Sequence, residues 1–406
     1  MTGITQPGRA VTEQTQLSRL PRAVFGSKTA FSLASLPGES TFHPCPAAVK
    51  TENGILLSFK NNYLSDMKKK ILVTGGCGYI GSHTVIDLLE EGFDVISVDN
   101  YINSSPQTLD QIEAVTGIRI TNYDIDLRNR DALIKALKAE GRIDGVIHFA
   151  ALKAVGESVE KPLLYYDNNI NGLLNILEAQ KELGIPCHIF SSSCSVYGNA
   201  EDLPVTETTP VQEAESPYAR TKQICEDIIR DATKAGSPFR YILLRYFNPA
   251  GAHESGLIGE SPVNPPANLI PVITETAFGL RPAMTVFGDD YNTRDGSCVR
   301  DYIHIMDLAR AHTLGLKYLL EGKAEQPVEI FNVGTGNGVT VLEAIRAFEA
   351  VTDRRLNYKI GPRRPGDVVA VYANKDKAEK KLGWHPERTI RDIMETAWTW
   401  EIKRRK

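Results

Sequence analysis

The chain has 406 residues, 42% of them hydrophobic and 24% charged, which is enough for one large or two fused domains with a substantial core and excludes a chain that is disordered throughout. A formal net charge of -4 gives no general attraction for nucleic acid or for an anionic membrane surface, so neither is expected as a partner. No run approaches the roughly 18 consecutive apolar residues of a transmembrane helix.

Six cysteines, Cys45, Cys77, Cys187, Cys194, Cys225 and Cys298, lie without CxxC spacing or nearby histidine pairs. Neither a metal site nor a disulfide framework is indicated, and a reducing, cytoplasmic setting fits. The basic runs Lys68 to Lys70 and Lys403 to Lys406 read as solvated faces. Residues 1–66 are rich in Ser, Thr, Pro and Gly, with sparse and unpatterned apolar residues. They read as a disordered N-terminal extension, or as the product of an upstream start codon, because Met67 directly precedes the first expected strand; a faint transit-peptide composition lacks the amphipathic helix that would support it.

Short apolar strands then alternate with amphipathic helices, the pattern of βαβ units and a parallel sheet. Ile71 to Val73 is the first strand, the helix opened by Gly78 carries Ile80, Val85, Leu88 and Leu89 on one face, and Val95 to Val98 returns as the second strand. Further buried runs begin at Val146, Ile189 and Tyr241, with helices around Tyr165 to Leu183 and Pro217 to Ala235. Beyond Asn248 the sequence turns Pro- and Gly-rich. The expected architecture is α/β: a Rossmann-type doubly wound parallel sheet over residues 68–248, with a smaller α/β substrate-binding domain over 249–406. Val328 to Phe331 is strand-like enough to rejoin the first sheet, so the two parts interleave.

Gly76, Gly78 and Gly81 form GxGxxG between the first strand and first helix. Glycine permits the tight turn, lets backbone approach a pyrophosphate, and brings helix close to strand. Asp99, 18 residues after Gly81, stands where a carboxylate accepts from adenosine ribose hydroxyls and would repel a 2'-phosphate, so the expected cofactor is NAD rather than NADP. Ser216-Pro217 is a helix start, with Ser as N-cap and Pro at the first helical position. Tyr218 and Lys222 then fall one turn apart, where the ammonium, reinforced by an oxidised nicotinamide, would lower the phenol pKa and make Tyr218 a general base. Ser191, Ser192 and Ser193 end a strand at the sheet edge where open α/β folds bind ligands; Ser191 and Ser192 read as turn formers, whereas a serine hydroxyl here can share the substrate proton with Tyr218.

Gly75, Gly78 and Gly81 also fit the TGxxGxxG spacing of the short-chain dehydrogenase/reductase superfamily. The stretches ILVTGGCGYIGSH at Ile71, VIHFAALKAVGES at Val146, YYDNNINGLLNIL at Tyr165, FSSSCSVYG at Phe190, SPYARTK at Ser216, LLRYFNPAGAH at Leu243, VRDYIHIMDLA at Val299 and PRRPGD at Pro362 resemble the UDP-glucose 4-epimerase family of the extended branch. The resemblance runs from Lys68 nearly to the end. It implies Tyr218 as base, Lys222 on the nicotinamide ribose, and Ser193 as the active-site serine. It implies NAD contacts at Tyr79, Ile80, Asp99, Asn100, Asp126, Leu127, Phe149, Ala150, Lys153, Asn168 and Phe247, and UDP-hexose contacts at Asn248, Asn268, Leu269, Arg300, Arg364 and Asp367.

Guanidinium groups at Arg300 and Arg364 suit a diphosphate, although either could simply pair with Asp301 or Asp367. The implied reaction is reversible 4-epimerisation of UDP-glucose and UDP-galactose through a 4-keto sugar, without net redox, in a homodimer packed through the helices at Tyr165 and Pro217. Related dehydratases carry an Asp-Glu pair where this chain has Ser193-Cys194, which argues against elimination. Epimerisation of a UDP-uronic acid or UDP-pentose, and a non-catalytic NAD-sensing module, are the alternatives. Val371 aligns with a position that is a bulky aromatic in some members, so N-acetylated UDP-hexosamines are expected to be accepted as well.

Overall fold

The computed structural model describes residues 49–50, 56–57, 68–364 and 368–406. Within the first 66 residues, Val49–Lys50 and Leu56–Leu57 pair as antiparallel strands; the expectation of disorder over the rest of that segment lies outside the described residues.

From Lys70 the chain runs β1 (Lys70–Thr74), α1 (Tyr79–Glu90), β2 (Asp94–Val98), α2 (Gln107–Thr116), β3 (Thr121–Tyr123), α3 (Arg130–Ala139), β4 (Gly145–His148), α4 (Val155–Glu160), α5 (Pro162–Leu183), β5 (Cys187–Ser191), α6 (Pro217–Lys234), β6 (Arg240–Tyr246) and β7 (Asn248–Ala250). It continues through α7 (Leu269–Phe278), β8 (Met284–Phe287), β9 (Val299–His304), α8 (Ile305–Leu320), β10 (Val328–Val333), β11 (Gly338–Thr340), α9 (Val341–Thr352), β12 (Tyr358–Gly361), β13 (Ala370–Val371), α10 (Asp376–Leu382) and α11 (Ile390–Arg404).

Seven strands form one sheet in the order β10-β6-β5-β4-β1-β2-β3, and every pairing in it is parallel. Because side chains alternate across a strand, Ile71 and Val73 of β1 enter the core with Val85, Leu88 and Leu316 from α1 and α8. Leu72 enters the opposite core with Leu133, Leu137 and Ile176 from α3 and α5. Both faces are therefore covered, which is why these strands read as continuous apolar runs rather than alternating ones. The arrangement is the Rossmann-type α/β fold, and Val328–Val333 is its outer strand, bonded to β6.

A second sheet centres on β9. It pairs with β11 and β13 through one end and with β7 through the other, with Arg300 opposite Val371 and Tyr302 opposite Asn248. β8 and β12 form a separate parallel pair, and Ile273, Phe348, Ile393 and Met394 from α7, α9 and α11 build the core beneath. Among the described residues, no helix is long and apolar enough to cross a membrane.

Candidate active site

The parallel pairing brings the C-terminal ends of β1, β2, β4, β5 and β6 to one edge, the edge at which open α/β folds bind ligands. The turn after β1 passes through Gly75 at φ +71°, and a Cβ there would sit 2.8 Å from the Ala150 nitrogen. A Cβ on Gly81 would lie 2.1 Å from the Gly75 carbonyl oxygen, so α1 can meet the strand this closely only with glycine. Helix α1 starts after Gly78 without a side-chain cap. Its first-turn N–H groups, including those of Tyr79, Ile80 and Gly81, can therefore serve a phosphate, and the cradle fits a dinucleotide.

At the end of β2 one Asp99 oxygen accepts from the Cys77 N–H at 3.0 Å, and the other from the Tyr101 N–H at 2.9 Å and the Ser104 hydroxyl at 2.8 Å. These bonds aim the carboxylate over the glycine turn, and a carboxylate with four lone-pair sites can still accept from a ribose. Asn100 follows it on the chain. In the loop after β3, Asp126 pairs with Arg128 at 2.6 Å, which holds its carboxyl below the usual range, and Leu127 is buried against α3 and α5. Beyond β4, the Phe149 ring packs on His312, and Ala150 lies against the Gly75 turn. Lys153 sits over the Tyr79 ring, 5.9 Å from its centre, and 3.9 Å from Glu260. Asn168 on α5 donates to Asn169 at 3.0 Å.

Helix α6 begins as its sequence requires: the Ser216 hydroxyl accepts from the Ala219 N–H at 3.2 Å, with Pro217 at the first position. Tyr218 and Lys222 are both buried. The Lys222 ammonium donates to the Ser191 carbonyl at 2.6 Å and stands 6.0 Å from the centre of the Tyr218 ring. Burial raises the Tyr218 pKa, the nearby Tyr246 adds to this, and the Ser193 hydroxyl works in the opposite direction. Burial likewise lowers Lys222, to about 8. Helical spacing puts the two groups on one face, but the carbonyl at the end of β5 takes the ammonium.

Ser193 also caps the short 3-10 turn Cys194–Tyr197 by accepting from the Ser195 N–H at 3.1 Å. Ser191 and Ser192, read as turn formers, also bond through their hydroxyls to distant residues. The Ser191 hydroxyl shares a 2.6 Å hydrogen bond with Tyr246, and the Ser192 hydroxyl donates to Glu226 at 2.6 Å. Tyr246 lies within the LLRYFNPAGAH stretch and Glu226 beyond SPYARTK, but neither is singled out by the sequence, since each meets its serine from a distant part of the chain.

The second sheet supplies the other wall. Burial pushes the Cys194 thiol up to about 12, and the charge of Arg300 works in the opposite direction. Val371, opposite Arg300 in β13, joins Phe247, Val196 and Tyr197 in one apolar cluster. The Asn248 side-chain oxygen is buried with no hydrogen-bond partner among the described residues. Asn268 stands at the N-cap position of α7 without a side-chain cap bond and donates instead to Glu260 at 3.0 Å, with Leu269 the first helical residue. The Arg364 guanidinium lies over the Phe287 ring, 5.1 Å from its centre. The Asp301 carboxylate accepts from the backbone N–H groups of Thr335, Gly336 and Ala373. Asp367 lies outside the described residues. No group of acidic, cysteine and histidine side chains among the described residues could hold a metal.

The model of the family described as GDP-mannose 4,6 dehydratase matches residues 72–397. UDP-glucose 4-epimerase 2 of Arabidopsis thaliana is 49% identical over 337 residues, covering 82% of this chain and 95% of the relative. The crystal structure of UDP-glucose 4-epimerase from Bifidobacterium longum in complex with NAD+ and UDP is 48% identical, with a TM-score of 0.79 over 82% of this chain and 98% of that one. The UDP-Glc/GlcNAc 4-epimerase from Campylobacter jejuni is 36% identical, with a TM-score of 0.71 over 82% of this chain and 99% of its own. With relatives this similar along their whole length and the glycine cradle, Tyr218, Lys222 and Ser193 gathered at one sheet edge, the chain belongs to the UDP-glucose 4-epimerase family.

Proposed function

We propose that this chain interconverts UDP-glucose and UDP-galactose by inverting C4, with NAD retained through the cycle. The observation that carries the reading is the buried Tyr218 phenol, with Ser193 near it, at the same sheet edge as the glycine cradle. Tyr218 takes the proton of the C4 hydroxyl and later returns it, and Ser193 holds that oxygen by a hydrogen bond. The glycine cradle and Asp99 would hold NAD, which when bound would supply the hydride acceptor and donor for C4 and positive charge beside the phenol. Lys222, held by Ser191, presents its ammonium to the cofactor ribose. Arg300, Arg364 and Asn248 anchor the UDP, leaving the sugar free to turn over in the 4-keto state so that either face can be reduced.

Residues 68–248 hold the cofactor and 249–406 the UDP-sugar, with Val328–Val333 returning to the first sheet. Ser193-Cys194 brings no carboxylate of the kind elimination needs, so dehydration is disfavoured despite the description of the matching family model. A second reading, acceptance of N-acetylated UDP-hexosamines, rests on Val371, whose small side chain ends in the cluster beside Phe247.

The enzyme works as a cytoplasmic homodimer. Leu163, Leu174 and Val159 are 82%, 41% and 62% exposed on α4 and α5, an apolar surface that a second copy would cover. The described cysteines are free, as a reducing compartment requires. Light scattering of wild type and Leu163→Asp checks the dimer, with a shift to monomer expected for the variant. NMR of the purified protein with UDP-galactose tests the reaction: UDP-glucose must appear without added NAD.

A further inference from the structure

Helix α6 grips the end of β5 at two successive residues. Lys222 donates to the Ser191 carbonyl, and one turn later the Glu226 carboxylate accepts from the Ser192 hydroxyl, both at 2.6 Å. Glu226 is only 1% exposed, as is Arg245 on β6, and the two form a bidentate pair at 2.9 and 2.6 Å. Arg230 adds a third contact to Glu226 at 2.8 Å. The Arg245 guanidinium then lies 4.9 Å from the centre of the Tyr197 ring, and the Tyr197 hydroxyl donates to Asn332 on β10 at 2.6 Å. Tyr197 closes the 3-10 turn that Ser193 opens. The chain is thus fastened to one buried ion pair on both sides of Ser193, before it through Ser192 and after it through Tyr197.

A fully buried ion pair is a poor device for stability, because desolvation of both charges offsets most of their attraction. What it supplies here is placement. We propose that Glu226, acting through Ser192 and supported by Arg245, is a positioning residue that fixes Ser193 against the Tyr218 phenol. This rests on the epimerase reading given above. A hydroxyl displaced by a fraction of an ångström loses its bond to the reacting oxygen in the transition state while UDP binding is untouched.

Removing Glu226 alone strands Arg245 without its partner and endangers folding, so the test starts from Ser192→Ala, which leaves the ion pair intact. With UDP-galactose as substrate and activity expressed per bound NAD, Ser192→Ala is expected to lower kcat by about tenfold with KM within about twofold. Ser192→Thr, which keeps the hydroxyl, is expected to restore most of the rate. In Glu226→Ala/Arg245→Met, where both charges leave together, kcat falls similarly and adding Ser192→Ala changes it by less than about twofold, because the link is already cut. An unchanged kcat in Ser192→Ala, or no rescue by Thr, overturns the proposal whether or not the Glu226→Ala/Arg245→Met variant folds. Failure of wild type itself to convert UDP-galactose would instead overturn the epimerase reading.

Discussion

Lys222 and Ser191 meet side chain to backbone at 2.6 Å, so the ammonium is held by the sheet and not by the phenol one turn before it. The position of the charge therefore does not depend on the ionisation of Tyr218, and each residue has a separable role.

The first prediction concerns Lys222 itself. Burial lowers its pKa from 10.5 to about 8. Between those values the unfolded chain binds a proton that the folded chain does not, so this group adds stability as pH rises from about 8 to about 10.5, and its burial cost is greatest below about 8. Lys222→Met removes the dependence. The melting temperature of the variant relative to wild type should be higher near pH 7 than near pH 9.5, and a difference that is flat with pH would remove Lys222 as its source. The same variant should lose about a hundredfold or more in kcat.

Tyr218→Phe keeps the buried ring that packs with Leu152 and Tyr165 and deletes only the hydroxyl. Turnover is expected to fall by about 10²–10⁴-fold, with melting temperature and UDP affinity close to wild type by calorimetry. Full activity in this variant would place the base elsewhere.

Gly81→Ala puts a methyl group 2.1 Å from the Gly75 carbonyl oxygen and 3.0 Å from the Gly76 Cα, backbone atoms that cannot swing aside. α1 must move off the strand, and the cradle opens. The expected result is protein that purifies without NAD, read from nucleotide released on acid denaturation and from its absorbance. Retained stoichiometric NAD would contradict the cradle.

Val371→Tyr should close the space beside Phe247. UDP-galactose should still react, while interconversion of UDP-GlcNAc and UDP-GalNAc, assayed by NMR, should fall at least about tenfold relative to it. If wild type never accepts the N-acetylated pair, the size reading of Val371 is wrong.

The parts of this molecule legible in its sequence are those written locally. Gly75, Gly78 and Gly81 are fixed by one turn, Ser216 and Pro217 by one helix start, and Ile71 to Val73 by burial on both faces of a parallel strand. Even the return of Val328 to the first sheet left an apolar run as its sign. What periodicity could not carry was pairing at a distance. Lys222 and Ser191, Ser192 and Glu226, and Ser191 and Tyr246 are each brought together by the order of strands β4, β5 and β6 and the docking of α6, so their roles emerge only in three dimensions. The same limit applies to Arg300 and Val371, which face one another because β9 and β13 are neighbours in the second sheet.

The late return of β10 governs how the molecule can be made. Until residues 328–333 leave the ribosome, β6 is the outermost strand and shows an unbonded backbone edge along Tyr241 to Tyr246. A nascent chain of the nucleotide half must therefore wait, with that edge shielded by chaperones or unformed, and a fragment ending near Asn248 would carry it permanently. Expression of the cofactor half alone should yield aggregates, while a split that keeps Val328–Val333 available in trans offers the edge its own partner.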